Sequence, residues 1–285
     1  MEHPADIDRP FFAYGVFKPG QLAFFQLRGL ISKVTDPVQV TGKLLLRDGL
    51  PIIDPAGYGH VKGALVTFLP ERAAEAYNRI SAMEPDRHYR WREARVDGEP
   101  ANALFGRFPR KGSVPCENDE WNGWSDPLFT AALDVVEETL SSNVLQWDLK
   151  SLFKLQMAYL LLWSAIERYV SLRYHLGDKV MEKVSQLACE PAFVAGLSHH
   201  VEERRHVYRA DRPDQMVTLD PQSPKKALAY YYQVRSNITH RGKAAERDNE
   251  RVRMSLTELL PIFRDVLKAS MQPTRKKPHA ADAGR

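Results

Sequence analysis

Residues 109–127, "PRKGSVPCENDEWNGWSDP", decide how this chain is divided. Prolines and glycines interrupt a largely polar run in which neither a two-residue nor a helical hydrophobic period survives, the composition of a connection. Before it, apolar residues come in short β-branched and aromatic runs; after it, they recur at helical spacing. The stretch therefore predicts a linker over 109–125, with Asp126 and Pro127 opening a helix just beyond.

Working back from the linker, "FFAYGVF", "VTGKLLL", "VKGALVTFL", "RWREARV" and "NALFGRF" read as strands, bounded by glycine and proline. One helix interrupts them, with Pro70 in its first turn and Ala73, Ala74, Tyr77 and Ile80 at helical spacing ahead of Met83 and Glu84. Residues 1–108 are thus expected to form an α+β unit. Working forward, Leu149 to His175 is a long apolar-striped helix stopped near Gly177, and further helices fit 178–189, 191–208, 224–240 and 244–269. Residues 126–270 are expected to be all-α, with "YRADRPDQMVTLDPQSP" as one long connection and 271–285 as a disordered tail.

The bulk composition agrees with two units. A chain of 285 residues, 44% hydrophobic and 10% aromatic, holds enough apolar material for two cores. Two cysteines, Cys116 and Cys189, are too few to staple a secreted scaffold and read as free thiols in a reducing compartment. The opening "MEHPADIDRP" has no leader pattern, and the most apolar run, "MAYLLLWSAI", is about half of the ~20 residues that a membrane span needs, so a cytoplasmic protein without a membrane anchor is expected. Positive and negative side chains balance over residues 1–120, so the net charge of +4 belongs wholly to the remainder. From Arg235 onward there are twelve basic and six acidic side chains, a mild bias toward phosphate that ordinary solvated helices also show.

Two places carry chemistry. A strand ending in Tyr14-Gly15, followed by Val16 and Phe17 and then Pro19-Gly20, leaves a loop whose backbone N–H groups can bind a carboxylate or a developing oxyanion; a simple tight turn is the structural alternative. Glu84 follows the single N-terminal helix within the apolar-leaning "ISAMEP", where partial burial would raise its pKa toward that of a general base; a surface glutamate at a helix end is the bland reading. The second place is "YYYQVRSNITHRGK", residues 230–243. Leu228, Tyr231, Val234 and Ile238 form the apolar stripe of a packed helix that Arg235 flanks. Arg235 and His240 stand about 140° apart on an ideal helix, so they converge only if the helix ends near Thr239 or if a second subunit contributes. A snorkelling arginine and a carbonyl-capping histidine are the alternative. "HHVEERRH" holds His199, His200 and His206 but lacks an i, i+4 histidine pair, and reads as a solvated helical face, so no metal or other cofactor is expected.

Across residues 10–108, "FFAYGVFKPG", "VTGKLLL", "GHVKGALVTF" and "ISAMEPDRHYRWREARV" resemble the gamma-glutamylcyclotransferase-like family in order and spacing. The resemblance implies a small β-barrel flanked by helices, with Glu84 as the acid/base. The α-amine of a γ-glutamyl group would attack its own γ-carbonyl and release 5-oxoproline and an amine. The loop of Tyr14, Gly15, Val16 and Phe17 would hold the substrate by backbone donors, and Tyr89 would shape the pocket. Val16 and Phe17 stand where that family usually carries a small polar residue followed by Leu or Asn. Over roughly 126–270, the long helix "LFKLQMAYLLLWSAIERYVSLRYH" followed by Arg235, Ser236 and His240 resembles the HEPN superfamily, in its abortive-infection-like branch. That resemblance implies metal-independent RNA cleavage at a homodimer interface in a defence or toxin-like setting. His240 would move the proton, Arg235 would stabilise the charged phosphorus centre, and Ser236 or Asn237 would orient the phosphate. The expected function is a HEPN-type ribonuclease effector fused to a cyclotransferase-like sensor or catalyst. The alternatives are a cyclotransferase with a helical dimerisation scaffold, and a non-catalytic binding protein.

Overall fold

The computed structural model describes residues 1–84, 86–123, 126–142, 148–174, 179–241 and 246–271, without the side chains at 127, 128, 180, 240, 241 and 246–248. The expected tail beyond residue 271 lies outside the described residues. The fold is mixed α and β. In chain order the first eight strands are β1 (Phe11–Ala13), β2 (Ile31–Thr41), β3 (Lys43–Arg47), β4 (Leu50–Asp54), β5 (His60–Phe68), β6 (Tyr89–Val96), β7 (Glu99–Gly106) and β8 (Val114–Pro115). Five of them make one sheet in the order β2-β5-β1-β7-β6, and three make another in the order β4-β3-β8.

All three residues of β1 are buried because it is the central strand: Phe12 faces Leu65 of antiparallel β5 and Ala103 of parallel β7. Two Asp-Gly pairs close hairpins. Asp48-Gly49 joins β3 to β4 and Asp97-Gly98 joins β6 to β7, each with both φ angles positive, as the mirror-image turns that suit twisted strands require. β4 was not among the expected strands because Pro51 breaks its pattern. It is an edge strand, where the missing N–H costs no ladder bond.

The expected linker is partly structured. Val114 and Pro115 pair with β3, and Trp121, 2% exposed, enters the core of the strand-rich unit and donates from Nε1 to the Gly49 carbonyl at 3.0 Å. Polar neighbours hid that tryptophan in the sequence; the apolar area it removes from water holds the segment down.

The helices are α1 (Ala73–Met83), α2 (Pro127–Ser142), α3 (Leu149–Arg173), α4 (Val180–Gln186), α5 (Pro191–His200), α6 (Pro224–Arg241) and α7 (Glu246–Ser270). Asp148 caps α3 by accepting from the Ser151 amide at 2.9 Å. The expectation that residues 126–270 are all-α fails here. The helix expected over 191–208 stops at His200, and Arg205–Tyr208 is a strand, β9, paired antiparallel with β10 (Met216–Leu219) inside the expected connection. Alternation explains it: Val207 and Leu219 are buried while Tyr208 and Met216 are exposed, a two-residue period too short to register in the sequence.

One hydrophobic cluster is built from the strand-rich unit and another from the helices. They are joined: Leu22 belongs to the helical cluster, Leu172 of α3 packs on both, and the Gln26 side-chain amide donates to the Leu172 carbonyl. Among the described residues no helix is long and apolar enough to cross a membrane.

Candidate functional site

Glu84 owes its position to α1 and to its neighbour in sequence. Ala73, Ala76, Tyr77 and Ile80 bury one face of α1. Tyr77 stands edge-on to Phe68 at 5.2 Å and to Trp91 at 5.3 Å, donates from its hydroxyl to the Arg9 carbonyl at 2.6 Å, and accepts from Asn102 at 3.0 Å. Trp91 Nε1 donates to Ser81 Oγ at 3.1 Å, which anchors the last turn to β6. The helix stops at Glu84 because a residue before proline is driven out of the helical region; Glu84 has φ −92° and ψ 118°.

The loop after β1 comes to the same place. Gly15 passes so close to β4 that a Cβ there would sit 2.9 Å from Pro51 Cγ. The Lys18 amide donates to the Gly15 carbonyl and the Ala23 amide to the Val16 carbonyl, folding the loop tightly. Lys18, buried, is stapled by its ammonium to Glu120 and to the Trp121 carbonyl. The amides of Val16 and Phe17 make no hydrogen bond among the described residues.

Between these elements lies a cavity of about 160 Å³, bordered by Tyr14, Val16, Phe17, Glu84 and Tyr89 among others. That is roughly ten times the ~10–15 Å³ needed to admit one water. Phe17 packs inward, edge-on to Phe11 at 6.3 Å, so it walls the cavity and leaves it open. The two tyrosines direct their protons to backbone: Tyr14 to the Leu104 carbonyl at 2.7 Å and Tyr89 to the Pro51 carbonyl at 3.0 Å. Burial pushes both phenols well above their usual range, and the nearby Glu84 charge pushes the same way. Glu84 is half-buried as a residue, and its carboxyl is enclosed by protein. Desolvation pushes its pKa up to about 7. No hydrogen-bond partner of that carboxyl occurs among the described residues.

The sequence reading missed the wall contributed by the helices. Arg168 and Leu172 of α3 border the cavity, and the Arg168 guanidinium grips Asp126 Oδ2 from Nε at 2.9 Å and from a terminal nitrogen at 2.6 Å. Only the packing of α3 against the segment Leu22–Leu30 brings them there, so no local signal could have found them.

The second candidate site is less assembled. Arg235 lies half-buried on α6, 3.4 Å from a Glu167 carboxylate oxygen and with its guanidinium carbon 5.7 Å from the Tyr232 ring centre. Asn237 is committed to the β9–β10 hairpin: its oxygen accepts from the Ala210 amide at 2.9 Å, and its nitrogen donates to the Tyr208 carbonyl at 2.8 Å. Ser236 is half-buried beside Arg235. The side chain of His240 lies outside the described residues. α6 runs to Arg241, two residues past Thr239, so positions 235 and 240 both lie on the helix, about 140° apart around one axis. Of the histidines in "HHVEERRH", His199 and His200 end α5 and His206 is on β9, so they share no helical face. Compared with known proteins, the chain matches no family model, no curated protein and no solved structure.

Proposed function

We propose that the Glu84 cavity is a catalytic pocket for intramolecular acyl transfer on a γ-glutamyl compound, within a cyclotransferase-like barrel. The observation that carries this reading is one carboxyl, free of hydrogen-bond partners among the described residues, with a pKa of about 7 in a cavity that two unpaired loop amides border. A group half ionised near neutrality is suited both to taking a proton and to returning it. Glu84 takes a proton from the substrate's α-ammonium; the freed amine nitrogen attacks the γ-carbonyl carbon, and the carbonyl oxygen gains negative charge beside the Val16 and Phe17 amides. Collapse breaks the bond to the leaving amine, which receives the proton back from Glu84, and 5-oxoproline forms. Tyr14 and Tyr89 already donate to backbone carbonyls, so they shape the pocket and stay out of the proton path. The test is 5-oxoproline release from a panel of γ-glutamyl amides. Activity that rises with pH through about 7 and is lost in Glu84→Gln supports the reading, and its absence across the panel refutes it.

A second reading, a HEPN-type ribonuclease on α6, is favoured by one observation. Leu149, Phe153 and Met157 leave an exposed apolar stripe at four-residue spacing on α3, the helix whose Glu167 holds Arg235. A second copy docking there would supply the dimer that the reading requires. Cleavage of a labelled structured RNA in EDTA, lost in both Arg235→Ala and His240→Ala, is the expected result. A wild type that leaves several RNAs intact removes this reading.

A further inference from the structure

Arg168 enters the cavity wall from the helical unit, which neither strand pattern nor loop chemistry anticipates. A guanidinium has five N–H donors. Two of those on Arg168 point to a single oxygen of Asp126, leaving three without a partner among the described residues. Asp126 is 2% exposed and stands outside the cavity, so it orients Arg168 from behind while the arginine, its side chain 27% exposed, keeps accessible surface. The Phe129 ring supports the guanidinium at 6.0 Å. Glu84 and Arg168 both border the cavity, with no hydrogen bond between them among the described residues. The remaining wall is mostly apolar: Phe11, Val16, Leu50, Met83, Leu104 and Leu172.

We infer that Arg168 is the carboxylate-recognising residue of this cavity and that the ligand is an α-amino acid derivative. Its carboxylate would sit on the free edge of Arg168 and its amine would face Glu84. Planar guanidinium pairing suits a carboxylate better than any neutral isostere does. The inference rests on the proposed reaction for the orientation of the amine; the anion site stands on geometry alone. It also makes the site composite: the strand-rich unit supplies the acid and the loop, the helical unit the anion clamp, at a junction of the kind where ligand pockets concentrate.

The test compares γ-glutamyl-methylamide with the same compound carrying a carboxamide in place of its α-carboxylate. Binding to the full chain is measured by calorimetry, on the wild type and on Glu84→Gln, in which turnover is stopped; 5-oxoproline release is followed separately. A charge-assisted pair is expected to make the carboxylate compound bind about tenfold or more tighter, and Arg168→Met to bring the two within about twofold. Should Arg168→Met fail to fold because Asp126 loses its guanidinium partner, Arg168→Lys, which retains the ion pair but loses the fork, and the two-compound comparison on the wild type decide. Equal binding of the two compounds, or binding of neither, overturns the Arg168 assignment even where 5-oxoproline is released. Strong carboxylate preference without any 5-oxoproline sustains the anion site and removes the cyclotransfer reaction instead.

Discussion

Replacing Glu84 by Gln is expected to stabilise the protein, and by an amount that depends on pH. The carboxyl has an ordinary pKa of 4.5 in the unfolded chain and about 7 in the folded one, because burial penalises its charged form. Below 4.5 it is neutral in both states. Between 4.5 and about 7 the unfolded chain has released the proton and the fold retains it, so stability falls by about 1.4 kcal/mol per pH unit. Above about 7 both states are ionised and the loss is complete, about 3 kcal/mol. Glutamine keeps the shape and never ionises, so Glu84→Gln should match the wild type near pH 4.5 and exceed it by up to about 3 kcal/mol at pH 8. Urea unfolding of both proteins at four pH values between 5 and 8, followed by tryptophan fluorescence, measures the difference directly. Parallel stability curves, or a glutamine variant that is less stable at pH 8, would refute the claim that Glu84 is desolvated in this cavity. A gain in stability together with loss of 5-oxoproline release is the signature of a strained functional carboxyl.

Three further perturbations test the frame around the cavity. Gly15→Ala should cost about 1–3 kcal/mol and narrow the cavity, since the new methyl sits 2.9 Å from Pro51 Cγ; thermal unfolding checks it. Trp121→Ala should cost about 3–5 kcal/mol in chemical denaturation if the 109–125 segment is part of the core, and almost nothing if it is a free linker. Glu258, buried on α7, accepts from the Tyr231 hydroxyl at 2.9 Å and pairs with Arg205; Glu258→Ala leaves a buried guanidinium uncompensated and should cost about 3–5 kcal/mol, whereas Tyr231→Phe should cost only about 1 kcal/mol.

What the sequence determined by itself is the local part. Helical periods placed α1, α3, α6 and α7, and short apolar runs bounded by glycine and proline placed most strands of the large sheet, because such patterns reflect how one element's own residues meet a buried face. The position of Glu84 was legible too. Proline after it ends α1 by a clash within two residues, so the carboxyl had to leave the helix there. Of the stripe Leu228, Tyr231, Val234 and Ile238, the first three are buried as the spacing implied and Ile238 packs half-buried against the same cluster. Other features needed the folded chain. Trp121 sits among polar neighbours, and only contact with the Gly49 carbonyl and the core reveals that it is an anchor. β9 and β10 are four residues each, and neither is stable without the other and α6. Arg168 is one charged residue on a long helix until α3 packs against Leu22–Leu30 and carries it to the Glu84 cavity. Desolvation decides the chemistry of Glu84, and desolvation is a property of everything packed around an atom, which no window of neighbouring residues contains.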